Sequence, residues 1–135
     1  MGSLRILGTG IDLIETQRMQ EVIERWGAPF KDKVFLPEEQ SYCDSKAFPF
    51  HHYAARFAAK EAVSKAFGTG IGLHINWLDM EVIRDPESGA PSIRLQGKGE
   101  ELARQHRAGQ VLVSLSHTHN YAVASVIIVA DDPES

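Results

Sequence analysis

Hydrophobic positions follow a strand pattern first and a helix pattern next. Leu4 to Glu15 holds the strand formers Ile6, Thr9, Ile11 and Leu13 and reads as a strand. Met19, Val22, Ile23 and Trp26 then fall at helical spacing and form the expected buried stripe of a helix. Thr16 suits its N-cap, and Gly27 closes it. Pro37-Glu38-Glu39 places a proline and two acids where a helix N-terminus favours them, so a short helix is expected to about Cys43. Phe48 to His52 is a connector. An alanine-rich helix should run from about His52 to Phe67, with Gly68 as its stop. Leu78 to Arg84 and Ser92 to Leu95 read as strands around the turn-rich Asp85–Pro91. A helix over Gly99 to His106 turns Leu102 and Ala103 inward and leaves Arg104 and Arg107 in water. Val111 to Leu115 and Tyr121 to Val129 are apolar strands around Ser116-His117-Thr118-His119-Asn120. Strands and helices mix without regular alternation, which makes the fold α+β rather than doubly wound.

Composition narrows the class. A chain of 135 residues suits one domain, here residues 1–130, with an acidic tail over 131–135 expected to be disordered. The single cysteine, Cys43, excludes an internal disulfide framework and an all-cysteine metal cage within one chain. It is expected as a small buried residue in a protein of the reducing cytoplasm. A net charge of −4 argues against general nucleic-acid binding. The N-terminus lacks a signal-peptide pattern, and Ala122–Ala130 is too short to span a bilayer, so no membrane role is expected.

The chemistry concentrates in RFAAKEAVSKAFGTGIG, residues 56–72. Its glycines resemble a phosphate loop, but they follow a helix instead of opening one. The helix end beside them is partly negative, so the Rossmann and Walker readings fail. A helix cap with a tight turn accounts for them on their own. Within the helix, Phe57, Glu61 and Lys65 share a face. An exposed Glu61–Lys65 pair would be ordinary; a functional Glu61 needs a partner acid. Asp12, in the apolar Gly10-Ile11-Asp12-Leu13-Ile14-Glu15, is the best candidate, because a buried acid needs a pairing group or a metal. Ala54, Ala58 and Ala62 form a strip that lets another segment come close, from this chain or a second copy. His117 and His119, two apart on a strand, would point the same way, but no third zinc ligand is evident.

The ordered combination is more specific than its parts. Gly10–Glu15 with Arg18, then Phe35 with Glu39, Tyr42 and Cys43, then RFAAKEAVSKAFGTGIG, Gly89-Ala90-Pro91 and SLSHTHNYAVASV resembles the holo-acyl-carrier-protein synthases. These are the small, single-domain phosphopantetheinyl transferases. The resemblance runs from about Gly8 to Val126. It implies a mainly antiparallel sheet packed with the long motif helix, in a homotrimer with active sites between subunits. It also implies transfer of the 4′-phosphopantetheine arm of coenzyme A to a serine of an apo acyl carrier protein, in support of fatty acid biosynthesis. Adenosine 3′,5′-bisphosphate leaves.

Residue by residue, the resemblance makes Asp12 and Glu61 the ligands of Mg²⁺ and Lys65 the phosphate-contacting lysine. It places Gly68, Gly70 and Gly72 beside the nucleotide and His117 at the nucleotide end. Glu61 would accept the proton, directly or through a water on the metal. Arg18 matches the docking arginine, and Arg25, two turns on, extends a basic patch for the acidic carrier. Pro49-Phe50-His51-His52 is not a family hallmark. Two alternatives share these residues: the same transfer onto a secondary-metabolism carrier, and a non-catalytic module that binds coenzyme A or a carrier protein.

Overall fold

The computed structural model describes residues 4–131. The tail expected to be disordered lies outside the described residues beyond Asp131. Five strands and five α-helices follow one another: β1 (Ile6–Glu15), α1 (Thr16–Trp26), α2 (Ala28–Val34), α3 (Pro37–Asp44), α4 (Pro49–Phe67), β2 (Met80–Arg84), β3 (Pro91–Leu95), α5 (Lys98–Gln105), β4 (Ala108–His117) and β5 (Tyr121–Ala130). All pairing is antiparallel. One sheet has the order β1-β5-β4, and β2 with β3 makes a separate hairpin. The α+β expectation holds.

Helix α4 is the spine of the molecule. Its alanines Ala54, Ala58, Ala59 and Ala62 have no exposed surface, and Val63 is equally buried. A helix buried on nearly every face carries no clean amphipathic stripe. Its C-terminal half packs on Ala124, Val126 and Ile128 of β5, with Met80, Val82 and Leu102 completing that cluster. Its N-terminal half meets Met19 and Ile23 of α1, together with Val34, Phe35 and Cys43. The alanine strip therefore serves packing within the chain. Its counterpart on β1 is glycine. A Cβ on Gly8 would stand 1.9 Å from the Ala66 carbonyl oxygen, and one on Gly10 2.0 Å from that of Ala62. Small residues on both surfaces let helix and strand backbones touch.

Two of the buried charged residues pair with each other in this core. Lys60 donates from Nζ to Glu39 Oε1 at 2.6 Å and to the Val34 carbonyl at 2.7 Å. Glu39 in turn accepts from the backbone N–H of Leu36 and of Val82, each at 2.9 Å. Burial presses the Lys60 pKa down and Glu39 opposes that shift. One clamp thus ties α4 to the end of α2, the start of α3 and β2. Breaking such a buried pair from one side costs about 3–5 kcal/mol.

Several local expectations need correction. Thr16 is not the N-cap of α1 but its first residue; Glu15 takes the cap position, and Thr16 donates its backbone N–H to Asn120. Trp26 leaves the buried stripe and is 59% exposed, with Arg25 lying 5.2 Å over its ring. Helix α1 ends there, so nothing remains to cover the indole. Helix α2 was not anticipated, because seven residues directly after a capping glycine carry too little periodicity. Helix α4 starts at Pro49, since proline suits a first turn. Trp77–Asp79 is a 3-10 turn ahead of β2. Gly68 ends α4 in the left-handed conformation, φ 78°, as expected. Burial pushes the Cys43 thiol up to about 12, consistent with an inert packing residue. Among the described residues no helix is long and apolar enough to cross a membrane.

Candidate active site

The close approach of α4 to β1 builds the site. Gly8 and Gly10 face the helix, and strand alternation turns Asp12 to the same side. There the strand runs past the outer flank of α4. Lys65 reaches across and donates to Asp12 Oδ1 at 2.9 Å and to the Ile11 carbonyl at 3.0 Å. Asp12 is mostly buried and Lys65 half-exposed, so the pair lies at the rim of the protein. Lys65 is therefore bound to the strand acid and not engaged in a simple surface pair with Glu61. Glu61 lies one helical turn earlier. Its pKa is raised by burial first and by the negative Asp12 second, and Lys65 opposes both. The two carboxylates are close enough to repel.

They open onto a cavity of about 590 Å³ lined by Asp12, Arg18, Phe57, Glu61, Lys65 and Tyr121, among others. This volume is within the range of small-molecule sites. Phe57, Glu61 and Lys65 share its wall, as their spacing implies. Arg18, on α1, lines the same cavity. Two repelling carboxylates with room beside them fit a hard divalent cation whose other positions are filled by water or phosphate oxygens. Among the described residues no group of three His, Cys, Asp or Glu side chains could hold a metal. That rules against a zinc centre at His117 and His119, which would need at least three protein ligands.

The other predicted residues lie elsewhere. His117 is the last residue of β4, paired with Ala122 of β5, and does not line the Asp12 cavity. His119 belongs to the turn after it, so the two do not share a strand. His117 instead joins a histidine cluster. His51 stacks on it with ring centroids 5.3 Å apart, His52 meets it edge-on at 5.7 Å, and His119 meets His51 edge-on at 5.7 Å. Gly68, Gly70 and Gly72 all have positive φ, and a Cβ on any of them would meet nothing within 4 Å. Backbone conformation, not crowding by this chain, calls for glycine there. None of the three lines the cavity. Arg25 is exposed on the far end of α1 from Arg18 and is engaged with Trp26.

Two features escaped the sequence reading. Gly8 and Gly10 register there only as interruptions of an apolar run, although Gly-x-Gly on a strand facing an alanine strip is the legible half of a close contact. Arg56 is buried, 4.2 Å over the Tyr42 ring, and its Nε and Nη1 have no hydrogen-bond partner among the described residues. Nothing in sequence marks a buried guanidinium.

A model of the 4′-phosphopantetheinyl transferase superfamily matches residues 8–126, and the chain belongs to that superfamily. Its relatives point to one branch. It is 46% identical over 123 residues to the holo-[acyl-carrier-protein] synthase of Koribacter versatilis, covering 91% of this chain and 98% of that one. It is 47% identical over 124 residues to the synthase of Ruminiclostridium cellulolyticum, covering 91% and 92%. Among solved structures, the Helicobacter pylori synthase in complex with coenzyme A superposes with a TM-score of 0.79 at 30% identity, over 89% of this chain and 98% of that one. The Bacillus anthracis synthase in complex with coenzyme A (3′,5′-ADP) gives 0.78 at 31% identity, over 96% and 100%.

Proposed function

We propose that this chain is a holo-acyl-carrier-protein synthase. It moves the 4′-phosphopantetheine arm of coenzyme A onto a serine of an apo acyl carrier protein and so supports fatty acid biosynthesis in the cytoplasm. The observation that carries this is the trio Asp12, Glu61 and Lys65, converged on one cavity in a chain whose relatives bear that name.

In the reaction the serine oxygen bonds to the β-phosphorus of coenzyme A. The bond from that phosphorus to the bridging oxygen breaks, and adenosine 3′,5′-bisphosphate departs with that oxygen. Asp12 and Glu61 would hold Mg²⁺, which when bound neutralises pyrophosphate charge. Lys65 adds a positive charge over the same oxygens, while its bond to Asp12 fixes its place. Glu61, on the cavity wall beside Asp12, is placed to accept the serine proton, directly or through a water. Arg18, on the rim, meets the acidic carrier, and Arg25 extends that surface along α1.

The active assembly is a homotrimer. The sheet face turned away from α4 exposes Ile11 and Leu13 of β1 and Leu112 of β4, 63%, 62% and 49% accessible, and no described element covers it. An apolar face of this kind suits burial against further copies. A neighbouring subunit would then bring His117 and the Gly68–Gly72 turn to a cavity that lacks them in its own chain.

The test is intact-mass spectrometry of an apo acyl carrier protein incubated with this protein, coenzyme A and Mg²⁺, with an EDTA control. A gain of one phosphopantetheine that EDTA abolishes is expected. Binding of coenzyme A with no gain on any carrier would make the chain a non-catalytic binder.

A further inference from the structure

The histidine cluster has more members than the proposed function uses. His51 and His52 open α4 and lie against His117, where the resemblance assigns a nucleotide contact to His117 alone. His51 donates from Nε2 to the His119 carbonyl at 3.0 Å, because a carbonyl can only accept. The proton of the neutral ring is therefore on Nε2, and Nδ1 is left as an acceptor. An acceptor facing a phosphate oxygen repels it; a protonated Nδ1 would donate to it.

The surroundings of His52 are one-sided in charge. From its own helix it faces Arg56, from β4 His117, from the segment between α3 and α4 Lys46, and from β2 Arg84. The Tyr42 ring of α3 closes the last side, edge-on at 5.7 Å. Burial first, and Arg56 next, press the His52 pKa down to about 4. Glu21 and Glu24 of α1 line a cavity that His51 and His119 share, and Glu38, Glu39 and Glu81 line one with Arg56 and Arg84. Arg56, 1% exposed, keeps two N–H groups without a hydrogen-bond partner among the described residues. A buried, under-bonded guanidinium beside stacked imidazoles is arranged to take an anion.

We propose that His51 and His52 belong to the nucleotide-binding surface and that the cluster takes up a proton from solvent when a phosphate of the nucleotide binds. The proposal rests on the reading of His117 as the nucleotide end of the site. Free, the partly buried His52 stays neutral, because its proton would be added away from water and beside Arg56. A bound phosphate adds negative charge beside the rings, and an imidazole nitrogen gains a proton and becomes a donor. No covalent bond changes. Affinity for the nucleotide then rises as pH falls, down to the point where the phosphate itself takes a proton, near its own second pKa of about 6.

The experiment is isothermal titration of the intact protein with adenosine 3′,5′-bisphosphate, without metal, at pH 7.5 in two buffers of different ionisation heat. The buffer dependence of the enthalpy gives the protons taken up. About half a proton or more is expected, together with about three- to tenfold tighter binding at pH 6.5 than at pH 8. His51→Gln and His52→Gln, alone and together, are expected to melt like the natural protein at pH 8 and to lose most of the uptake. Undiminished uptake in the double variant would place the titrating group elsewhere, with Glu61 the alternative, and overturn the proposal. His117→Gln separates the two levels. If it weakens binding while the natural protein takes up no proton, the nucleotide reading stands and the proton linkage falls. If it binds as tightly as the natural protein, the nucleotide reading itself falls.

Discussion

Glu61 is held at a cost. It is half-buried, next to the negative Asp12, and only Lys65 compensates, so its pKa lies above the ordinary carboxylate value. An acid with a raised folded pKa destabilises the fold as pH climbs from its unfolded value through its folded one. Replacing it with glutamine removes that penalty together with the proposed proton acceptor. Glu61→Gln is expected to abolish turnover in the mass assay and to raise the melting temperature by a few degrees at pH 7. The gain should vanish below about pH 4.5, the ordinary value, where the natural side chain is neutral too. Retained activity would remove Glu61 from the chemistry, and a melting temperature lowered at pH 7 would mean the side chain is structural. The pairing of Lys65 shows what spacing alone leaves open. Glu61 and Lys65 stand at a distance that suits an ion pair on any helix, yet Lys65 turns to β1, where Asp12 and the Ile11 carbonyl both accept.

At the scale of elements, the site depends on how close α4 comes to β1. The strand contributes Gly8 and Gly10, the helix Ala62 and Ala66, and the carboxylate at position 12 continues the same strand face. Adding one methyl to Gly10 would force helix and strand apart, because the atom it meets is backbone. Gly10→Ala is expected to destabilise the fold by about 1–3 kcal/mol in urea unfolding and to cut transfer activity more than tenfold. Gly68→Ala is the contrast. Its Cβ enters open space, so only the left-handed backbone strains, about 1–2 kcal/mol, and Asp12 stays in place. Equal loss of activity in both variants would mean that close packing is not what positions the acids. The element boundaries that sequence missed share a cause. Helix α2 is short and follows a cap directly, and the first turn of α4 is led by a proline whose role is visible only once the helix is known.

For the whole molecule, the unequal placement of the predicted residues matters most. Asp12, Glu61, Lys65 and Arg18 share one cavity, and His117 stands apart with His51 and His52. If neighbouring copies close the site, two inactive variants can complement each other. Asp12→Asn supplies a sound His117, and His117→Gln supplies a sound Asp12. Co-expressed in equal amounts, they should recover roughly a quarter of the natural activity per site, as random assortment in a closed ring gives. No recovery above either variant alone would place the whole site within one chain. The exposed apolar face of β1 and β4 is the surface on which such a ring would close.

By itself the sequence determined the α+β class, most element positions and the inert cysteine, and it singled out the two acids and the lysine that line one cavity. These follow from local period, capping chemistry and an ordered motif, which a chain carries before it folds. Only the tertiary structure decided that Lys65 pairs with Asp12, that Lys60 and Glu39 form a buried clamp, that Trp26 is exposed, and that four histidines from α4, β4 and the turn after β4 come together. Those facts join residues tens of positions apart. Their energies depend on burial and on the charges nearby, and neither exists until helix α4 settles onto the glycines of β1.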